Sequence, residues 1–106
     1  MVRIRLLGGV SATDGGKPVD VGPAKCQTVL AALVLAAGYA VPVPRLVDLV
    51  WGEEPPRTAE KTLQSYVVRL RRALGAGAIV RVSAAYRLTV QPEALDVARF
   101  RDAAAR

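Results

Sequence analysis

Seven cations fall between positions 57 and 87: Arg57, Lys61, Arg69, Arg71, Arg72, Arg81 and Arg87. Glu60 is the one acid among them, so this stretch carries the whole formal charge of +6 and the rest of the chain is neutral in sum. Such a concentration is expected where one surface meets a polyanion. A solubilising basic face is the competing reading. Turning Thr58 to Leu74 at about 100° per residue separates two unlike faces. Ala59, Leu63, Tyr66, Val67, Leu70 and Leu74 form an apolar stripe. Opposite its centre lie Lys61, Ser65, Val68 and Arg72, with Thr62 and Arg69 on one flank and Gln64 and Arg71 on the other. A solvated helix usually intersperses Glu with Lys to gain i,i+4 pairs; this one has only Glu60, near its start. The mixture has a definite chemistry. Arginine pairs bidentately with guanine, glutamine with adenine, hydroxyls bond phosphate, and an exposed valine lies against a thymine methyl.

Other chemistries are poorly supplied. The chain has no histidine and one cysteine, so an internal disulfide, a zinc site and a Ser-His or Cys-His pair are excluded. Cys26 falls near a helix start, where a thiol pKa can be lowered, but it lacks a partner base and reads as a buried structural residue. Gly8-Gly9 and Gly15-Gly16 lack the Lys-Ser/Thr ending of a phosphate loop and read as turns. Asp14, Asp20 and Asp48 match no metal-loop spacing. Trp51 reads as a packing anchor. Aromatics make up 5% of the chain, too few for an RNA-stacking platform. No cofactor or metal is expected, and no enzymatic activity.

These residues need elements to position them. At 106 residues, 52% hydrophobic and 23% charged, the chain has the proportions of one globular domain with one modest core. Val2, Ile4 and Leu6 alternate with Arg3 and Arg5, the period of a half-buried strand. Asp14-Gly15-Gly16 signals a tight turn between Val10–Thr13 and Lys17–Val21, with Pro18 suited to an edge. Val29, Leu30, Leu33, Val34 and Ala37 recur at helical spacing over Ala24–Ala37, and Gly38 is a stop. Val41–Val43 reads as an extended link. Pro44 opens a second helix that turns Leu46, Leu49 and Val50 inward and ends at Trp51-Gly52. Glu53-Glu54-Pro55-Pro56-Arg57 is a rigid exposed connector. Thr58 can cap the third helix, with Glu60 well placed in its first turn. Two strands follow, Ile79–Val82 and Tyr86–Val90, joined by Ser83-Ala84-Ala85, then a helix-prone tail over Leu95–Arg106. Helix, short helix, angular loop, basic helix and hairpin follow the order of a winged helix-turn-helix. The expected fold class is α+β: a three-helix core, an N-terminal antiparallel sheet, and a C-terminal hairpin wing presenting Arg81 and Arg87. No run of the chain is long enough to span a bilayer, and no signal-peptide core opens it; the expected compartment is the cytoplasm, on the nucleoid when DNA is bound.

Val50-Trp51-Gly52-Glu53-Glu54-Pro55-Pro56, then Thr62-Leu63-Gln64-Ser65-Tyr66-Val67 and Arg69-Leu70-Arg71-Arg72-Ala73-Leu74-Gly75, resemble the Streptomyces antibiotic regulatory protein family. These transcriptional activators carry an OmpR/PhoB-type winged helix at the N-terminus. The opening Arg3-Ile4-Arg5-Leu6-Leu7-Gly8 strand and the closing Leu95-Asp96-Val97-Ala98-Arg99-Phe100 share the likeness. The resemblance implies a winged-helix domain over residues 1–92. Residues 93–106 would begin a bacterial transcriptional activator domain, cut short. It implies head-to-tail binding of two protomers on direct repeats near a promoter, recruitment of RNA polymerase, and control of secondary-metabolite genes. Groove and phosphate contacts would come from Lys61, Thr62, Ser65, Tyr66, Val68, Arg69 and Arg71, to which the outer-face reading adds Gln64 and Arg72. The loop bearing Glu53, Glu54 and Arg57 would touch the polymerase σ subunit. Two departures stand out. Val68 occupies a position where a cation is common in response regulators, and the wing reads Ala84-Ala85-Tyr86 where glycine usually precedes the tyrosine. The alternative function is a protein-interaction module whose basic face meets an acidic partner without reading DNA.

Overall fold

A computed structural model describes residues 2–5 and 10–89. The first element, β1 (Val2–Arg5), pairs antiparallel with β2 (Ser11–Asp14), which pairs antiparallel with β3 (Lys17–Val19). The β2–β3 turn is Gly15-Gly16, both with positive φ (61° and 84°), the two-residue geometry that glycine accepts without steric cost. Pro18 lies on the edge strand, where its missing N–H costs no ladder bond. Ile4 faces Ala12, which faces Val19, and this row lays the sheet on the core. The N-terminal antiparallel sheet forms as expected, with Ile4 buried between exposed Arg3 and Arg5; β2 runs one residue later than expected, taking Asp14 out of the turn and into the strand, and β3 stops at Val19.

Helix α1 (Ala24–Leu35) is the central element and packs on α2, α3 and the last strand. Its Cys26, Val29, Leu30, Leu33 and Val34 are buried, the i, i+3, i+4, i+7, i+8 stripe of a core-facing helix. Each large aliphatic side chain buried this way contributes about 1.5–3 kcal/mol. The helix ends two residues before the expected Ala37. The Ala37 N–H bonds back to the Val34 carbonyl in a tightened last turn, and Ala37 itself turns left-handed (φ 52°) ahead of Gly38.

Val41–Val43 is not a plain link. Val41 and Pro42 form a short strand, β4, and Val43 begins helix α2 (Val43–Trp51). Of the three α2 residues expected to point inward, Leu46 is buried and Val50 half-buried, but Leu49 is 44% exposed. It lines an apolar groove with Leu35 of α1. The inward position goes instead to Val43, three residues before Leu46.

Helix α3 (Ala59–Leu74) follows the connector, and its inner residues Leu63, Val67 and Leu70 are fully enclosed. Thr58 occupies the cap position, but its side chain makes no capping bond. Its carbonyl accepts the Thr62 N–H at 2.8 Å instead. Strands β5 (Ile79–Val82) and β6 (Ala85–Leu88) form the expected hairpin, and β4 joins it to give the sheet order β4-β6-β5. Val82 pairs with Ala85, so the turn is Ser83-Ala84, one residue shorter than expected, with Ser83 at φ 57°. The two sheets and three helices share one hydrophobic cluster, as an α+β winged helix requires. The tail over Leu95–Arg106, the 93–106 domain start and the strand end at Val90 lie outside the described residues, as do Leu6 to Gly9.

Candidate nucleic-acid interface

Burial of Ala59, Leu63, Val67, Leu70 and Leu74 commits one face of α3 to the core. Lys61, Gln64, Ser65, Val68, Arg69 and Arg72 are consequently turned outward and exposed. They line one cleft with Tyr66 and with Pro23, at the start of α1. Val68 is 44% exposed in its midst, an apolar side chain surrounded by cations and polar groups. The Ser65 hydroxyl donates to the Lys61 carbonyl at 3.3 Å, which fixes its rotamer and leaves its oxygen able to accept. No side chain caps α1, so the positive end of its dipole adds to the field beside Pro23.

Thr62, Tyr66 and Arg71 are half-buried along the flanks rather than fully outward. The Tyr66 ring stacks on Trp51, with centroids 6.3 Å apart and planes inclined by 19°. Trp51 therefore anchors the end of α2 against α3, the packing role expected of it. Arg71 leans to the hairpin, where its Nε donates to the Ile79 carbonyl at 2.9 Å. On the other flank, Nη2 of Arg69 reaches Oδ2 of Asp20 at 3.0 Å. Two arginines thus brace α3 from opposite sides, one to each sheet's end of the molecule.

The Asp20 seat is a feature that sequence reading missed. Its Oδ1 accepts the Gly22 N–H at 2.8 Å, and the Gln27 side-chain amide donates to the Gly22 carbonyl at 2.9 Å. The Gly22 N–H, and after it the Arg69 guanidinium, hold the Asp20 carboxyl below its ordinary range. Gly22 has φ +87°, and a Cβ there would stand 2.9 Å from Arg69 Nε and 3.0 Å from Cys26 Sγ. Asp20-Val21-Gly22 has the form of an Asx-turn, but nothing in the sequence announces a partner forty-nine residues away. Cys26 is fully buried, and its thiol points to the Tyr66 carbonyl at 3.6 Å. Burial pushes the thiol pKa up, outweighing the pull of Arg69, so the lowering that a helix start can produce does not occur.

The wing cations are not brought together. Arg81 pairs with Tyr86 and Arg87 with Val80, so strand alternation places the two arginines on opposite faces of the hairpin. Arg81 donates from Nε to the Ser83 carbonyl at 3.0 Å and from Nη1 to the Tyr86 hydroxyl at 3.2 Å. Its guanidinium carbon stands 5.4 Å from the Tyr86 ring centroid. Arg87 is half-buried. The tip, Ser83-Ala84, carries no charge, and the Ala84 carbonyl accepts the Val43 N–H at 2.9 Å, tying it to the start of α2. Glu53, Glu54 and Arg57 are exposed on the connector between α2 and α3. Among the described residues no group of His, Cys, Asp or Glu is arranged to hold a metal ion, and no helix is long and apolar enough to cross a membrane.

The Gly22 clearance yields a stability prediction. Gly22→Ala introduces a left-handed alanine and a clash with the Arg69 side chain together. The expected cost is about 1–3 kcal/mol, read as a lower urea midpoint with unchanged slope.

Comparison with known proteins agrees with this geometry. The family model described as "Transcriptional regulatory protein, C terminal" matches residues 16–86. Regulatory protein AfsR of Streptomyces coelicolor is 38% identical over 104 residues, covering 97% of this chain and 10% of that protein. Regulatory protein DnrI of Streptomyces peucetius is 40% identical over 73 residues, covering 69% and 27%. Among solved structures, Mycobacterium tuberculosis EmbR, in complex with a low-affinity phosphopeptide, superposes with a TM-score of 0.85. It is 33% identical and covers 93% of this chain and 28% of that one. The chain thus spans a tenth to about a quarter of the length of these relatives. With its winged-helix fold, its basic outward α3 face and these matches, the chain belongs to the OmpR/PhoB-type transcriptional regulatory domains of the Streptomyces antibiotic regulatory protein family.

Proposed function

We propose that the chain reads double-stranded DNA in sequence, with the outer face of α3 in the major groove. The observation that carries this reading is the single cleft formed by Lys61, Gln64, Ser65, Val68, Arg69 and Arg72. It offers donors and acceptors for base edges, an apolar contact for a thymine methyl, and cations for phosphate. Tyr66 lines the same cleft, Thr62 lies half-buried on the flank of α3, and both serve the phosphate backbone. Arg71, through its bond to Ile79, holds the hairpin at the angle the groove requires. Arg81 and Arg87 then act separately, one on each face of the wing.

Family membership supports the wider reading: a cytoplasmic activator that binds promoter direct repeats as two head-to-tail protomers and controls secondary-metabolite genes. Glu53, Glu54 and Arg57 are the residues for RNA polymerase and its σ subunit, because they stand exposed on the α2–α3 connector and leave the α3 face free for DNA.

Selection of bound duplexes from a random pool tests the central reading, and should return a repeated half-site with fixed spacing. Against that site, Arg69→Ala should cost about 1–3 kcal/mol and relax preference at one position. Lys61→Ala and Arg72→Ala should weaken all duplexes alike and lower the salt slope by about one each. Recovery of no preferred sequence would favour a protein-interaction module instead. Replacing Glu53, Glu54 and Arg57 together by Ala should leave the duplex affinity intact and abolish activation in reconstituted transcription.

A further inference from the structure

Arg69 and Arg72 stand one turn apart on the outer face of α3, yet they are held differently. Arg69 is seated: its Nη2 meets Asp20 Oδ2 at 3.0 Å, and its Cδ and Nε pass over Gly22, where an added Cβ would come within 3.0 Å. The Asp20 carboxylate is itself fixed through Oδ1 on the Gly22 N–H. The seat is therefore an exposed carboxylate, 77% accessible, that is tied into its own turn. The Arg69 side chain nevertheless stays 51% exposed, and a guanidinium has more N–H donors than this one ion pair uses. Arg72 lines the same concavity as Asp20, beside Val19, but makes no ion pair among the described residues. A carboxylate at the edge of a phosphate-binding face is unfavourable for affinity, since it repels the backbone and occupies a cation. Its presence makes sense where orientation matters more than attraction, because a clamped guanidinium loses less rotamer entropy per bond and offers its fork in one plane.

We propose that Asp20 is a positioning residue for sequence reading: it fixes the Arg69 guanidinium toward a base edge and withholds it from non-specific phosphate binding. This rests on the DNA-reading assignment of α3. Arg72 and Lys61 supply the non-specific attraction that Asp20 denies to Arg69. Selectivity in this family member thus depends on a residue of the N-terminal sheet's exit loop, outside the helix-turn-helix itself.

Asp20→Asn separates the two roles of the carboxylate, because asparagine can still accept the Gly22 N–H while the charge that clamps Arg69 is gone. The measurement is equilibrium binding of the 106-residue chain to a duplex recovered from a random pool and to a scrambled duplex of the same composition, each across a salt series. Asp20→Asn should bind the scrambled duplex more tightly, with a salt slope steeper by about one as freed Arg69 takes a phosphate. The selected-to-scrambled affinity ratio should fall about tenfold, the scale of one bidentate base contact. In an Arg69→Ala background, Asp20→Asn should leave that ratio unchanged. Equal shifts on both duplexes, or an undiminished ratio change without Arg69, would overturn the positioning role. Equal binding of the two duplexes by the unsubstituted chain would instead overturn the reading of α3 itself, and the positioning role with it.

Discussion

The buried row of α3 is the constraint on which the rest depends. Leu63, Val67 and Leu70 are fully enclosed beside α1, and a helix offers no independent choice for its other residues once that face is committed. A rotation of one position would bury Arg69 or Arg71 in place of Leu70 and turn Leu70 outward. The apolar row therefore sets both the core and the direction of Lys61, Gln64, Val68 and Arg72. Stability and function use opposite faces of the same sixteen residues.

Burial fixes the rotation of α3, but its pitch against the neighbouring elements is fixed by polar contacts on its flanks. Arg71 reaches the Ile79 carbonyl on the hairpin side, and Arg69 reaches Asp20 on the side of the N-terminal sheet. Tyr66 on Trp51 closes the contact with α2. Three of the residues whose types pointed to DNA are thus also structural, and a loss of binding on substitution carries both effects. Lys61 and Arg72 make no such contact among the described residues, which makes them the cleaner probes of electrostatics.

Much of this was legible in the sequence. Period-2 alternation marks the N-terminal strands, Gly15-Gly16 marks their turn, and the 3.6 period marks both long helices, because each pattern follows from one buried face. The features that escaped share a different origin. Val41-Pro42 forms a strand only because Tyr86 and Ala85 lie alongside it, and no local pattern of two residues specifies that. Leu49 has the right spacing to point inward, but the buried face of α2 runs through Val43 and Leu46, and Leu49 is left at the groove beside Leu35. The Asp20–Arg69 pair joins residues far apart in the chain through an exposed turn, where neither periodicity nor hydropathy carries a signal. The wing shows the same limit: a count of arginines does not reveal that register sets Arg81 and Arg87 on opposite faces.

The central claim is that the outer face of α3 meets the bases. Backbone amide and side-chain NMR shifts of the chain, followed as a selected duplex is added, test it most directly. The account predicts the largest changes at Lys61, Gln64, Ser65, Val68, Arg69 and Arg72, extending to Pro23–Lys25 at the start of α1. Changes confined to the hairpin, or to the Leu35–Leu49 groove, with α3 unmoved, would contradict it.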